Sequence, residues 1–143
     1  LSSKQKQQAE HIAAWIETEL ADGSTTCIAI SNQSLQPIYH VVVQGIVLHS
    51  DGTPEIEPYP ENRSQIAVAP PGIGYTTFPF AYAGIHRRPG IEIAFQDSAN
   101  RYWLRKTNGK LIELDCSPAE HYQIPQPTSW GMLLDECPDS EVR

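Results

Sequence analysis

The stretch IEIAFQDSANRYWLRKTNGKLIEL, residues 91–114, decides the fold. Ile91, Ile93 and Phe95 alternate with other residues and so point to one side of a strand. Asp97 to Asn100 turns the chain, and Asn100 suits a left-handed backbone. Arg101 to Lys106 returns, Asn108-Gly109 is the strongest hairpin signal in the sequence, and Lys110 to Leu114 closes a three-stranded antiparallel ribbon.

The same reading extends towards the N-terminus. TTCIAIS, IYHVVVQGIVLHS, QIAVA and YTTFPF read as strands separated by turn-rich links, with Pro79 marking an edge or an end. In the second of these, Tyr39, Val41 and Val43 share one face and His40 and Gln44 the other. Gly45 interrupts the alternation, and a bulge there would let Ile46 and Leu48 take over the inner face. PPGIG at 70–74 reads as a tight turn rather than a phosphate loop, because it lacks GxxxxGK[ST] and no helix follows. About seven short strands with no helical pattern between them describe an immunoglobulin-like antiparallel β-sandwich.

Before the strands, SSKQKQQAEHIAAWIETELADG at 2–23 predicts one N-terminal α-helix. Ala9, Ile12, Ala13, Ile16 and Leu20 recur every three or four positions, and Gly23 is the stop. Its apolar stripe docks on the sandwich through Trp15 and Ile16 or supports self-association. The chain thus divides into a helix at 1–22, a sandwich at 23–115 and a C-terminal segment at 116–143. That segment lacks periodicity, yet Tyr122, Ile124, Trp130, Met132, Leu133 and Leu134 are too apolar for a solvated linker. It is expected to lie across the sandwich as far as Leu134, held by packing, and to fray beyond.

Composition limits function. The 143 residues carry a net charge of -7, which excludes a protein that coats nucleic acid with its whole surface. Arg87, Arg88, Arg101, Arg105, Lys106 and Lys110 nevertheless concentrate positive charge in one stretch of an otherwise acidic chain. No cofactor, metal site or catalytic residue is expected. His11, His40, His49, His86 and His121 are scattered, no serine lies in GxSxG, and Cys27, Cys116 and Cys137 form no CxxC pair. Cys27 reads as a small buried hydrophobe. Three unpatterned thiols favour a reducing compartment, with a Cys116–Cys137 bridge as the alternative.

The candidate binding residues are Arg87, Arg88, Arg101, Trp103 and Arg105. Alternation puts Arg101, Trp103 and Arg105 on one face. Either Trp103 packs in the core with the arginines along its edge, or the group forms a basic hairpin surface for an acidic peptide, a phosphate or an anionic headgroup. The first function expected is a non-enzymatic accessory or interaction domain. The alternative is a small-ligand carrier or enzyme with a pocket between sandwich and C-terminal segment, where His121, Tyr122, Trp130 and Trp103 would converge.

Four stretches carry a resemblance: SNQSLQPIYHVVVQGIVL at 31–48, IAVAPPG at 66–72, AGIHRRPGIEIAFQDSANRYWLRKTNGKLIEL at 83–114 and HYQIPQPTSW at 121–130. Together they resemble a family of actinobacterial proteins with an N-terminal membrane anchor, a helical linker and a C-terminal β-sandwich domain. The resemblance implies a membrane anchor upstream and transfers no catalytic residue. With Lys4 and Lys6 near such an anchor, and with three thiols, the expected location is the cytoplasmic face of a membrane.

Overall fold

The computed structural model describes residues 3–54, 59–80 and 87–138. A short helix α1 (Ser3–Glu10) precedes eight strands: β1 (Ile12–Glu19), β2 (Thr25–Asn32), β3 (Ile38–His49), β4 (Arg63–Ala69), β5 (Gly72–Pro79), β6 (Arg87–Gln96), β7 (Tyr102–Arg105) and β8 (Leu111–Leu114). One turn of helix, α2 (Pro118–His121), follows. The strands form two antiparallel sheets, a small one in the order β1-β2-β5 and a large one in the order β4-β3-β6-β7-β8. This is the immunoglobulin-like arrangement in which β4 joins β3, β6 and β7, with β8 as an added edge. Ile28, Ile30 and Phe78 from the small sheet meet Val41, Val43, Ile93, Phe95 and Trp103 from the large one in the central core.

The N-terminal helix ends at Glu10, twelve residues short of its expected end at Asp22, and β1 follows it. The reason lies in the spacing. Ile12 and Ile16 are four apart, which is one helix face and also one strand face. Once β1 pairs antiparallel with β2, Ile12, Ala14 and Ile16 face the core and Trp15 faces out, 41% exposed. Ala9 and Ile12, expected on a stripe free to dock or self-associate, are wholly buried in the sandwich. Gly23, at φ 74, serves the β1–β2 turn instead of stopping a helix.

The bulge expected at Gly45 is absent. Alternation runs through it, with Gln44 opposite Glu92 and Ile46 opposite Gly90; the register slips instead between Tyr39 and Val42, where His40 has φ 48. Gly45 meets a different need. A Cβ there would lie 2.9 Å from the Phe80 ring, so the glycine makes room for a core aromatic.

The C-terminal segment wraps both sheets. Ala119, Tyr122 and Ile124, with Trp130 beside them, cover Val42, Ala94 and Leu104 on the outer face of the large sheet. Gly131 then pairs with the β4 edge, accepting from Ala67 N–H and donating to Gln65 O. Leu133 reaches the central core, and Leu134 exchanges both backbone hydrogen bonds with Tyr75 on the β5 edge. Beyond Leu134 the described residues run on to Pro138. Cys137 forms a disulfide with Cys27 on β2, with Cα atoms 6.0 Å apart. Cys27 is buried as expected, but as half of a bridge; Cys116 is the free thiol. Residues 139–143 lie outside the described residues.

Candidate functional site

The structure separates the five candidate residues. Trp103 is 2% exposed, and its indole Nε1 donates to Asp97 Oδ2 at 2.8 Å, so neither ring face is open for stacking. Asp97, itself buried, also accepts from the N–H groups of Ala99 and Arg101, which locks the β6–β7 turn. Arg105 turns inward as a latch. Its Nε donates to Ile12 O at 2.7 Å, while its terminal nitrogens donate to Gly109 O at 2.8 Å and Glu10 O at 3.2 Å. The side chain thus satisfies carbonyls at the α1–β1 junction, where a helix end leaves acceptors without partners. Arg101 pairs with Glu113 at 2.9 Å. Only Arg87 and Arg88 stay on the exposed end of β6, opposite His49 and Leu48. Residues 83–86, including His86, lie outside the described residues.

A different cluster forms where the C-terminal segment covers the large sheet. Gln44 and Glu92 are neighbours on the outer face of β3 and β6. Gln44 is fully buried. Its amide nitrogen donates to the carbonyls of Gly45, Tyr59 and Asn62, and its oxygen accepts from Arg63 Nε at 2.7 Å. The Arg63 guanidinium lies over the Tyr122 ring, 5.3 Å from its centroid, and the Tyr122 hydroxyl donates to Glu92 Oε2 at 2.5 Å. His121 stands edge-on to Tyr122, with centroids 4.8 Å apart. Arg63, Glu92, His121 and Tyr122 line a pocket of about 350 Å³, with Gln44 buried behind Arg63.

Burial governs the charges in this pocket. It pushes the Glu92 carboxyl above its usual range, against the Tyr122 hydrogen bond and the His121 and Lys106 charges, which pull it down. Burial, and then the Glu92 charge, raise the Tyr122 hydroxyl well above its ordinary value. Desolvation lowers the Arg63 guanidinium, opposed by Tyr122 and Glu61. Of the four residues expected around a pocket beneath the C-terminal segment, His121 and Tyr122 line this one. Trp130 packs on His40, 4.9 Å between centroids, and Trp103 points into the central core. Sequence reading missed Arg63, Gln44 and Glu92. The available signal was Gln44, a polar amide inside the apolar run VVVQGIVL.

A second hollow, of about 400 Å³, lies between the β4–β5 turn and residues 131–135. Val68, Ile73, Met132 and Leu134 line it, four of the eight exposed large hydrophobic side chains among the described residues. The backbone contributes too. Tyr75 directs its N–H and C=O outward to Leu134, so by two-residue alternation Ile73 also directs its own outward, on the side of the hollow. Among the described residues, no three His, Cys, Asp or Glu side chains stand close enough to hold a metal ion. No helix there is long and apolar enough to cross a membrane. Comparison with protein-family models, with curated proteins and with solved structures finds no match for this chain.

Proposed function

We propose that this chain is a non-enzymatic interaction domain that takes an extended, apolar segment of a protein partner into the cleft between the β4–β5 turn and the C-terminal segment. The observation that carries this reading is the gathering of Val68, Ile73, Met132 and Leu134 around one hollow. Exposed apolar side chains scattered singly are ordinary, whereas a contiguous set marks a surface that something covers. The outward N–H and C=O of Ile73 favour an extended occupant. A strand can pair with them while its alternate side chains enter the hollow, as in strand addition at a sheet edge. What the cleft offers is side-chain packing and main-chain pairing, which is the chemistry of recognition.

A second reading keeps the anionic partner. Arg87 and Arg88 follow one another on the exposed start of β6, two guanidinium groups on an acidic molecule. Cross-linking and capture of the full chain from its own cells separates the two readings. Loss of a captured protein with Ile73→Asp or Met132→Asp, and its retention with Arg87→Glu plus Arg88→Glu, supports the cleft. The reverse pattern rejects the cleft in favour of the cationic end.

The bridge supports a different compartment from the expected cytoplasmic face. A cytoplasmic face was expected from three thiols together with Lys4 and Lys6, and of the thiols only Cys116 is free. The Cys27–Cys137 bond supports an oxidising compartment, where such bridges persist. Mass spectrometry of the protein from its host, with free thiols blocked before reduction, tests this: label on Cys27 or Cys137 counts against it.

A further inference from the structure

The pocket beneath α2 combines a charged group and a strained residue. Arg63 is the charged group. Its guanidinium is partly desolvated and held in place through Nε by Gln44, which three carbonyls pin in turn. Among the described residues its terminal nitrogens hydrogen-bond to no acid. A guanidinium oriented in this way presents a fork suited to a carboxylate.

Gln123 is the strained residue. It follows α2 at φ 57, in the left-handed region, and its N–H donates to Glu120 O while the N–H of Ile124 donates to Ala119 O. That is a Schellman ending, whose left-handed position strongly favours glycine. A glutamine there carries a conformational cost, and this glutamine lines the pocket with Arg63, Glu92, His121 and Tyr122. Glu92 and the Gln123 amide line the same pocket and supply hydrogen-bond acceptors there.

We propose that this pocket binds a small carboxylate that also carries a hydroxyl or ammonium donor, with Arg63 taking the carboxylate and Glu92 and Gln123 taking the donor. The two-point arrangement excludes molecules with only one of the groups. The partner cleft is a separate site, and neither proposal depends on the other.

The test is titration of the full chain, followed by amide and His121 NMR signals, with four probes at millimolar concentrations: lactate, glycine, acetate and inorganic phosphate. Lactate or glycine should give saturable shifts around His121 and Gln123, at least about tenfold tighter than acetate, the factor expected for one added charged hydrogen bond. Arg63→Gln should weaken that binding about tenfold or more, and Arg63→Lys, which keeps the charge and loses the fork, should do the same. Gln123→Gly is the discriminating variant: it should raise the melting temperature while weakening binding, a combination that a purely structural glutamine would not produce. Absence of saturable shifts with lactate and glycine overturns the proposal, as does unchanged affinity in folded Arg63→Gln or Arg63→Lys protein. Phosphate or acetate binding as tightly as lactate overturns the two-point assignment.

Discussion

Glycine admits a large neighbour at Gly74, as it does at Gly45. A Cβ on Gly74 would come within 2.6 Å of Leu133 Cδ1, so the C-terminal segment enters the core through a gap that glycine leaves in β5. Gly74→Ala is expected to cost about 1–3 kcal/mol in a denaturant melt, as overpacking does. Leu133→Ala should cost roughly 2 kcal/mol, and the double variant less than the sum, because the two changes act on one contact. Glu92 gives a pH signature. Burial raises its folded-state pKa above the ordinary 4.5, so over the window between the two values the folded chain holds a proton that the unfolded chain has lost. Its stabilising contribution is complete below the ordinary value and is lost as pH rises through the raised one. Relative to wild type, Glu92→Gln should therefore gain stability as pH rises from the ordinary carboxylate range through the raised value, measured by urea melts over a pH series. Purely local features were legible in the sequence: Asn100 has φ 64 and Gly109 has φ 89, because turn chemistry is settled within a few residues. The burial of Gln44 and Glu92 was not, since it depends on partners distant in sequence, Tyr59, Asn62 and Arg63 for Gln44 and Tyr122 for Glu92.

Elements show where sequence periodicity is ambiguous. The spacing of Ile12 and Ile16 fits helix and strand alike, and the pairing of β1 with β2 settles the choice. Strands β2 to β8 were legible because each alternates over several residues between strong turn signals. The C-terminal segment was readable only as apolar, because it is pinned by isolated bridges rather than by a ladder. The two arginines flanking β7 give contrasting predictions. Arg105 ties β1 to the far hairpin through several carbonyls, so Arg105→Ala should cost about 2–3 kcal/mol and raise hydrogen exchange at the start of β1. Arg101, in a surface pair whose side chains are 38% and 35% exposed, should cost less than about 1 kcal/mol when changed to alanine. Thermal melts of both variants test the ranking.

At the scale of the molecule, the C-terminal segment closes what the sheets leave open. It covers the outer face of the large sheet, pairs with the β4 edge, pairs with the β5 edge and ends bonded to β2. Unpaired edges invite association with other chains, and here two of the four are each bridged at one point by the chain's own backbone. Cys137→Ser should cost about 4 kcal/mol, the scale expected for releasing a loop of this length, and should speed exchange of the Ala67 and Tyr75 amides. Denaturant melts with and without reductant check the first, and hydrogen exchange the second. The bridge itself was not legible, because Cys27 and Cys137 stand 110 positions apart and only the wrapped path brings them together.

That covalent link also fixes how the molecule would respond to tension. A load applied ahead of Cys27 and beyond Cys137 bypasses the intervening polypeptide, since the sulfur bridge carries the force and everything inside the ring stays slack. In a single-molecule stretching experiment only the α1–β1 region would peel away. Adding reductant should then release about 380 Å of further contour length, at roughly 3.5 Å for each of the 110 positions in the ring.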